Sequence, residues 1–426
     1  MRLTTLQSRP WYRWLIFWVL SLGYVLVYFH RLCPAVVAVD MMQDLNAGAA
    51  LTGFLGAAYF YPYAVMQLPA GLLSDSWGPR KTITLFFILA FFGSVLLGMS
   101  PSVFWAILGR TAVGFGVAML FVPAMKILAV WFTKKEFGFM TGILMAMGGI
   151  GSLTAATPLA ALSAGIGWRL SFVVVGVFTA ILAGMVWIFV RDKPISEGKA
   201  DLLQGRHPDP ASIRLGEGIL RVIRLPAFWP LGIWFFFDCA VFFSFGGLWG
   251  GPYLMQVYNL TRGEAGRILS MLAIGMIIGS PLLSYLSGSL FRARKPVIVI
   301  SSAMVLILTA FLVFFTDRIP IPGMYGICLG LGIFSSAIVV IGFTANKELF
   351  PIQIAGTATG LVNLFPFAGG ALFQPFLGYI LEQYPKIGGQ FPAEAYQGAF
   401  TALFISSAIA LISSLFIRET HPKGSL

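Results

Sequence analysis

Twelve long, continuously apolar runs dominate this 426-residue chain, at roughly 14–39, 50–73, 82–99, 104–132, 137–162, 170–190, 227–252, 268–290, 296–315, 322–346, 354–381 and 396–417. A helix needs about 20 mostly apolar residues to cross a bilayer. Backbone polar groups in lipid must be satisfied internally, which leaves only helices or a closed barrel. Barrel strands would show as alternating segments of about ten residues. These runs are longer and do not alternate, so they predict an all-α membrane protein of 12 transmembrane helices. Charged residues make up 10% of the chain, against about 25% in a soluble protein. That excludes an ordinary soluble enzyme, a disulfide scaffold and a disordered chain. Cys33, Cys239 and Cys328 all fall inside apolar runs, so no disulfide framework is expected.

The net charge of +12 reads as topology, not as a nucleic-acid footprint, because no basic face outside the spans is large enough to hold a duplex. With the N-terminus inside, 20 of the 28 basic residues fall in the termini and cytoplasmic loops. Five fall on the other side (Arg169, Arg262, Arg267, Arg318 and Lys386), and three sit within spans (Arg31, Arg110 and Lys126). This bias predicts cytoplasmic N- and C-termini. No small-residue cleavage site follows Arg2, Arg9 and Arg13, so the first run is expected to stay as a helix. Short loops suggest a bacterial inner (plasma) membrane.

The one long polar stretch, Arg191–Leu225, separates six spans from six. The expected organisation is a half at 1–190, a cytoplasmic linker at 191–225 with a surface helix around Ile213–Ile223, and a half at 226–426. The halves repeat. Phe132 precedes Thr141-Gly142-Ile143 as Phe350 precedes Thr359-Gly360-Leu361. Gly114-Phe-Gly116 matches Gly330-Leu-Gly332. Leu73-Ser74-Asp75 with Arg80-Lys81 is echoed by Leu286-Ser287-Gly288 with Arg294-Lys295. Six-helix repeats of this kind are a transporter architecture.

The loop after span two reads Gly71-Leu-Leu-Ser-Asp75-Ser-Trp-Gly78-Pro-Arg80-Lys81. It resembles the signature loop of the major facilitator superfamily. Arg110-Thr-Ala-Val-Gly114-Phe-Gly116 in span four and Trp168-Arg169-x-x-Phe172 before span six resemble that family's patterns too. The resemblance covers the whole chain and implies the major facilitator fold, a monomeric secondary transporter, and a gating role for Asp75, Arg80, Lys81 and Arg110. A base often follows the loop acid in the family; Ser76 stands there here. Tyr28-Phe-His-Arg31, Gln67-Leu-Pro-Ala-Gly71 and Leu248-Trp-Gly-Gly-Pro252 are similar to the sugar-phosphate permease and organic-anion transporter branch. That likeness implies that Arg31 binds the substrate anion.

Ionisable residues inside a membrane are costly and mark function by default. An arginine suits carboxylate or phosphate because its fork donates two parallel hydrogen bonds. His30 neighbours Arg31 but points about 100° away on a helix. Lys126 offers a second positive charge, or snorkels to the headgroups. Asp238 is the one acid near the middle of a span. It is a candidate proton carrier, a fixed counter-ion for Arg31 or Lys126, or an amine ligand. Tyr59, Tyr63 and Gln67 recur at helical spacing on span two. Asn363, Phe367, Gly370 and Gln374 share a face of span eleven. Asp238, Phe242, Phe245 and Trp249 form a stripe on span seven. The substrate-site candidates are therefore Arg31, His30, Lys126, Tyr59, Tyr63, Asn363, Gln374 and Trp249, with Asp238 for proton coupling.

No metal-ligand spacing, phosphate-binding loop or catalytic set occurs, so neither a cofactor nor an enzyme activity is expected. The expected function is transport of a small organic anion, phosphorylated or carboxylated, by alternating access with proton symport. Anion exchange is the competing mechanism. A carrier of zwitterions such as amino acids or short peptides, and a transporter-like sensor, stay open as alternatives.

Overall fold

The computed structural model describes residues 11–194, 215–351 and 354–420. Most of the expected linker (195–214) and the chain ends that were assigned to the cytoplasm lie outside the described residues. The described part is helical apart from its loops and a two-residue bridge, Ile387 to Gln390.

Ten helices are long and apolar enough to cross a membrane. One of them, Phe139–Phe189, holds two spans, because Gly167 breaks the helix with φ +79°. The remaining span is 49–76, which is cut into Ala49–Ala57, Phe60–Val65 and Gln67–Ser76. Together these are the twelve spans expected. The end of the bundle holding Tyr12, Phe189 and Glu419 is called the foot, and the opposite end the crown.

Prolines explain the interruptions. Each withholds the N–H that the carbonyl four residues earlier would accept. Span one breaks at Cys33 before Pro34, and span two breaks near Ala58 and Met66, ahead of Pro62 and Pro69. Span four breaks at Met119–Leu120, ahead of Pro123. Capping boxes start spans five and eight: Thr133 with Glu136, and Thr261 with Glu264.

Small residues let the helices approach closely, as membrane packing requires. A side chain on Gly93 would strike the Gly109 carbonyl, and one on Gly109 would strike Gly93. Spans four and ten each press a glycine of the repeated Gly-x-Gly motif, at different positions of it, against the span two places before. Gly114 in span four abuts the Tyr59 carbonyl of span two, and Gly332 in span ten abuts the Leu272 carbonyl of span eight. The surface helix expected near 213–223 is present as Leu215–Ile223. Its Val222 is buried, and Gly218 lies beside Thr357 at the start of span eleven.

The halves touch closely at the crown. Gly251 meets the Ala35 carbonyl, Gly378 meets the Ala49 carbonyl, and Gly53 meets the Gln374 carbonyl. Arg262 pairs with Asp40 across the halves and donates to Ser163 at 2.8 Å. Glu382 accepts the Ala50 N–H at 3.2 Å, and Thr157 meets Ser270 at 2.9 Å. Between described residues, the hydrogen bond nearest the foot that joins the halves is Asn363 to Gln67, at 2.7 Å.

Candidate functional site

Arg31 sits near the end of the first piece of span one, 5% exposed. Its guanidinium carbon lies 4.3 Å from the ring centre of Tyr28, 5.0 Å from Phe367, 5.1 Å from Tyr63 and 5.6 Å from Phe243. Spans one, two, seven and eleven thus each give it an aromatic face, and such faces attract a cation through the ring quadrupole. No carboxylate lies within ion-pair distance of Arg31 among the described residues. The ring faces solvate the charge without neutralising it.

The two polar faces expected on spans two and eleven meet directly. Tyr63 and Phe367 have ring centres 4.3 Å apart, and Asn363 donates to the Gln67 side-chain carbonyl. Gln67 also donates to the Tyr63 carbonyl at 3.1 Å. Tyr59 stacks on Tyr63 and donates to the Val27 carbonyl at 3.2 Å. Among the described residues, this ring contact and this hydrogen bond join spans two and eleven on the foot side of Arg31.

His30 and Arg110 belong to a different contact. Pro34 has no N–H to give the His30 carbonyl, and Arg110 Nη1 supplies the missing donor at 2.9 Å. Arg110 also lies 5.2 Å from the Tyr59 ring centre. The ring nitrogens of His30 have no hydrogen-bond partner, and the ring packs edge-on against Phe29. Arg110 thus holds the break in span one that orients Arg31.

Asp238 is buried on span seven. Ser335 of span ten donates to its Oδ2 at 3.2 Å, while Oδ1 has no partner. Neither of the ion pairs left open by the sequence, to Arg31 or to Lys126, is formed within 4.0 Å. Lys126 instead donates to the Ser74 carbonyl at 3.1 Å, at the foot end of span two.

The signature loop is bound within its own half. Gly78 turns with φ +86°, and Asp192 accepts the Arg80 N–H at 2.7 Å, an acid at a helix N-terminus. The Arg80 guanidinium lies 4.1 Å over Trp187, and Lys81 is exposed. The Asp75 side chain lies outside the described residues. The second half repeats this arrangement. Glu419 accepts the N–H groups of Arg294 and Lys295 at 2.8 and 3.0 Å, and Arg294 pairs with Glu348 at 2.9 Å. Phe189-Val-Arg-Asp192 and Phe416-Ile-Arg-Glu419 carry this echo in the sequence.

Trp249 and Gln374 lie at the crown contact, and Gln374 is tied to the backbone of Phe243, one of the four residues that face Arg31. Trp249 donates to the Gln374 carbonyl at 2.9 Å, and the Gln374 amide donates to the Phe243 carbonyl at 2.8 Å. A side chain on Gly56 would strike the Gln374 side chain. The crown residues Asp40, Arg262, Ser163 and Glu382 were not singled out from sequence. Trp168 donates to Asp44 at 2.8 Å, and Arg169 pairs with Asp44 at 3.5 Å, which tie span six to the end of span one.

The family model described as Major Facilitator Superfamily matches residues 20–251 and again 239–426. The chain belongs to the Major Facilitator Superfamily. As a member it is a transporter and not an enzyme. It is 25% identical to a probable hexose phosphate transport protein of Chlamydia trachomatis, over 95% of this chain and 91% of that protein. It is 24% identical to the probable sulfoacetate transporter SauU of Cupriavidus necator, over 94% of this chain and 95% of the relative. The fold matches a bacterial homolog of the human lysosomal transporter Spinster, with TM-score 0.77, 19% identity and coverage of 96% and 97%.

Proposed function

We propose that this superfamily transporter carries a small organic anion, with a phosphate, sulfonate or carboxylate group held by Arg31. The observation that carries the reading is a buried guanidinium ringed by aromatic faces, with no carboxylate among the described residues within ion-pair distance. An anion supplies the missing charge and accepts two parallel hydrogen bonds from the fork. Tyr28, Tyr59 and Tyr63 line the approach, with Asn363, and Lys126 adds positive charge toward the foot. His30 supports the position of Arg31. The names of the relatives, one for hexose phosphate and one for sulfoacetate, favour the same class of substrate.

The halves 1–190 and 226–426 rock about this site, with 191–225 as tether. The foot faces the cytoplasm of a bacterial inner membrane, and a monomer suffices. The geometry described is crown-closed, so substrate exchanges at the foot once Tyr63–Phe367 and Gln67–Asn363 part. Asp75, Arg80 and Lys81 latch the foot in the opposite state. Trp249 and Gln374 act by closing the crown.

Asp238 carries the coupling proton. Among the described residues its Oδ1 is buried with no partner and no cation within ion-pair distance, which leaves an oxygen free to take a proton. Proton symport follows, with anion exchange as the alternative if Asp238 keeps a fixed state.

The test is uptake of sulfoacetate and of a hexose phosphate into proteoliposomes by wild type and Arg31→Lys. The lysine keeps the charge and loses the fork. Hydrogen bonds to charged groups are worth about 1.5–3 kcal/mol, so uptake efficiency should fall roughly ten- to a hundredfold. Undiminished uptake at unchanged affinity would overturn the assignment.

A further inference from the structure

A groove of about 750 Å³ runs along the flank of spans three and six, away from the central site. Trp77, Lys81 and Trp187 stand at its foot end, and Phe91, Phe92 and Ala180 lie deeper. Leu85, Ile88 and Phe92 in its wall are exposed, so this is a lipid-facing surface. A side chain on Gly184 would meet nothing within 4 Å, which leaves the floor open. From Lys81 to Phe92 the helix rises about 16 Å. That is about half of a 30 Å hydrocarbon core, or one leaflet.

The chemistry changes along the groove. The deep part is apolar. At the foot, Trp77 and Trp187 occupy the level where indole rings favour the membrane interface. Lys81 is the one charged residue in the lining, and the Arg80 guanidinium lies 4.1 Å over Trp187 beside it. The neighbouring acid, Asp192, is engaged by the Arg80 N–H at 2.7 Å and faces the Gly78 turn.

We propose that this groove binds an anionic diacyl phospholipid of the foot-side leaflet. One acyl chain lies along spans three and six over Gly184, and the phosphate rests on Lys81 and Arg80. Basic pockets between spans select such headgroups because the leaflet's negative lipids are attracted to clustered Lys and Arg. The inference is independent of what the transporter carries.

The test is native mass spectrometry of the full chain titrated with phosphatidylglycerol and with phosphatidylcholine. Wild type should retain phosphatidylglycerol at least fivefold better than phosphatidylcholine. Gly184→Phe should lose both lipids by filling the floor, and Ala180→Trp repeats that test at a second depth. Lys81→Gln should keep binding but lose the preference. Equal retention of the two lipids by wild type, meaning annular lipid only, would overturn the proposal. So would wild-type phosphatidylglycerol retention in a folded Gly184→Phe or Ala180→Trp protein.

Discussion

Removing Arg262 should release the crown. Its guanidinium joins Asp40 of span one to the start of span eight, and it also donates to Ser163 of span five. The side chains of the pair are 23% and 24% exposed. Exposed ion pairs are worth about 0–1 kcal/mol, and breaking a fully buried one costs about 3–5 kcal/mol. A pair about three-quarters covered falls between, at about 2 kcal/mol. At 1.4 kcal/mol per tenfold, Arg262→Ala should shift the crown-closed to crown-open ratio by roughly thirtyfold. The shift is one-sided because Asp40 and Arg262 must separate when the halves part at the crown. Spin labels at Ser102→Cys and Gln383→Cys, exposed positions on crown loops of opposite halves, report the opening as a distance distribution. The three native cysteines are buried, so labelling at the two sites is clean. Arg262→Ala should enlarge the long-distance population, and adding Asp40→Asn should add little to it. A distribution identical to wild type would refute the idea that this ion pair holds the crown shut.

Other outcomes follow from the same geometry. Gly251→Val places a side chain on the Ala35 carbonyl, so transport should fall more than tenfold while the protein still folds; wild-type transport would contradict the close crown contact. Asp238→Asn should abolish pH-driven accumulation while sparing counterflow; persistent accumulation would remove Asp238 as the proton carrier. Backbone and hydroxyl hydrogen bonds from Thr133 hold the Glu136 carboxyl below its ordinary value of 4.5. Its contribution is therefore full above that value and is lost as pH falls through the lowered one. Thermal unfolding of Glu136→Gln should lose less stability than wild type between neutral pH and about pH 4; equal losses would contradict this.

The number of spans and the repeat were legible because both rest on local pattern: run length, charge placement and paired motifs. The helix breaks were legible in principle from Pro34, Pro62, Pro69 and Pro123, since each proline silences a carbonyl at a fixed distance behind it. Arg31 stood out because a charge inside a span is rare. Its aromatic faces come from four spans far apart in sequence, so no local pattern joins them. The role of Arg110 depended on noticing that Pro34 leaves the His30 carbonyl without a donor. The crown seal was hidden because Gly53, Gly251 and Gly378 act through carbonyls on the other half. A glycine shows in sequence, but its partner does not. Asp192 and Glu419 were missed although Phe-Val-Arg-Asp and Phe-Ile-Arg-Glu repeat at the ends of the two halves.

Equilibrium binding to the purified protein tests the central claim most directly. Wild type and Arg31→Gln are titrated in detergent with an organic phosphate, a sulfonate, a neutral amino acid and an amine. The account predicts that at least one of the anions binds wild type, and binds Arg31→Gln at least tenfold more weakly. Binding of the amino acid or amine in preference to both anions, or anion binding unchanged in Arg31→Gln, would contradict it.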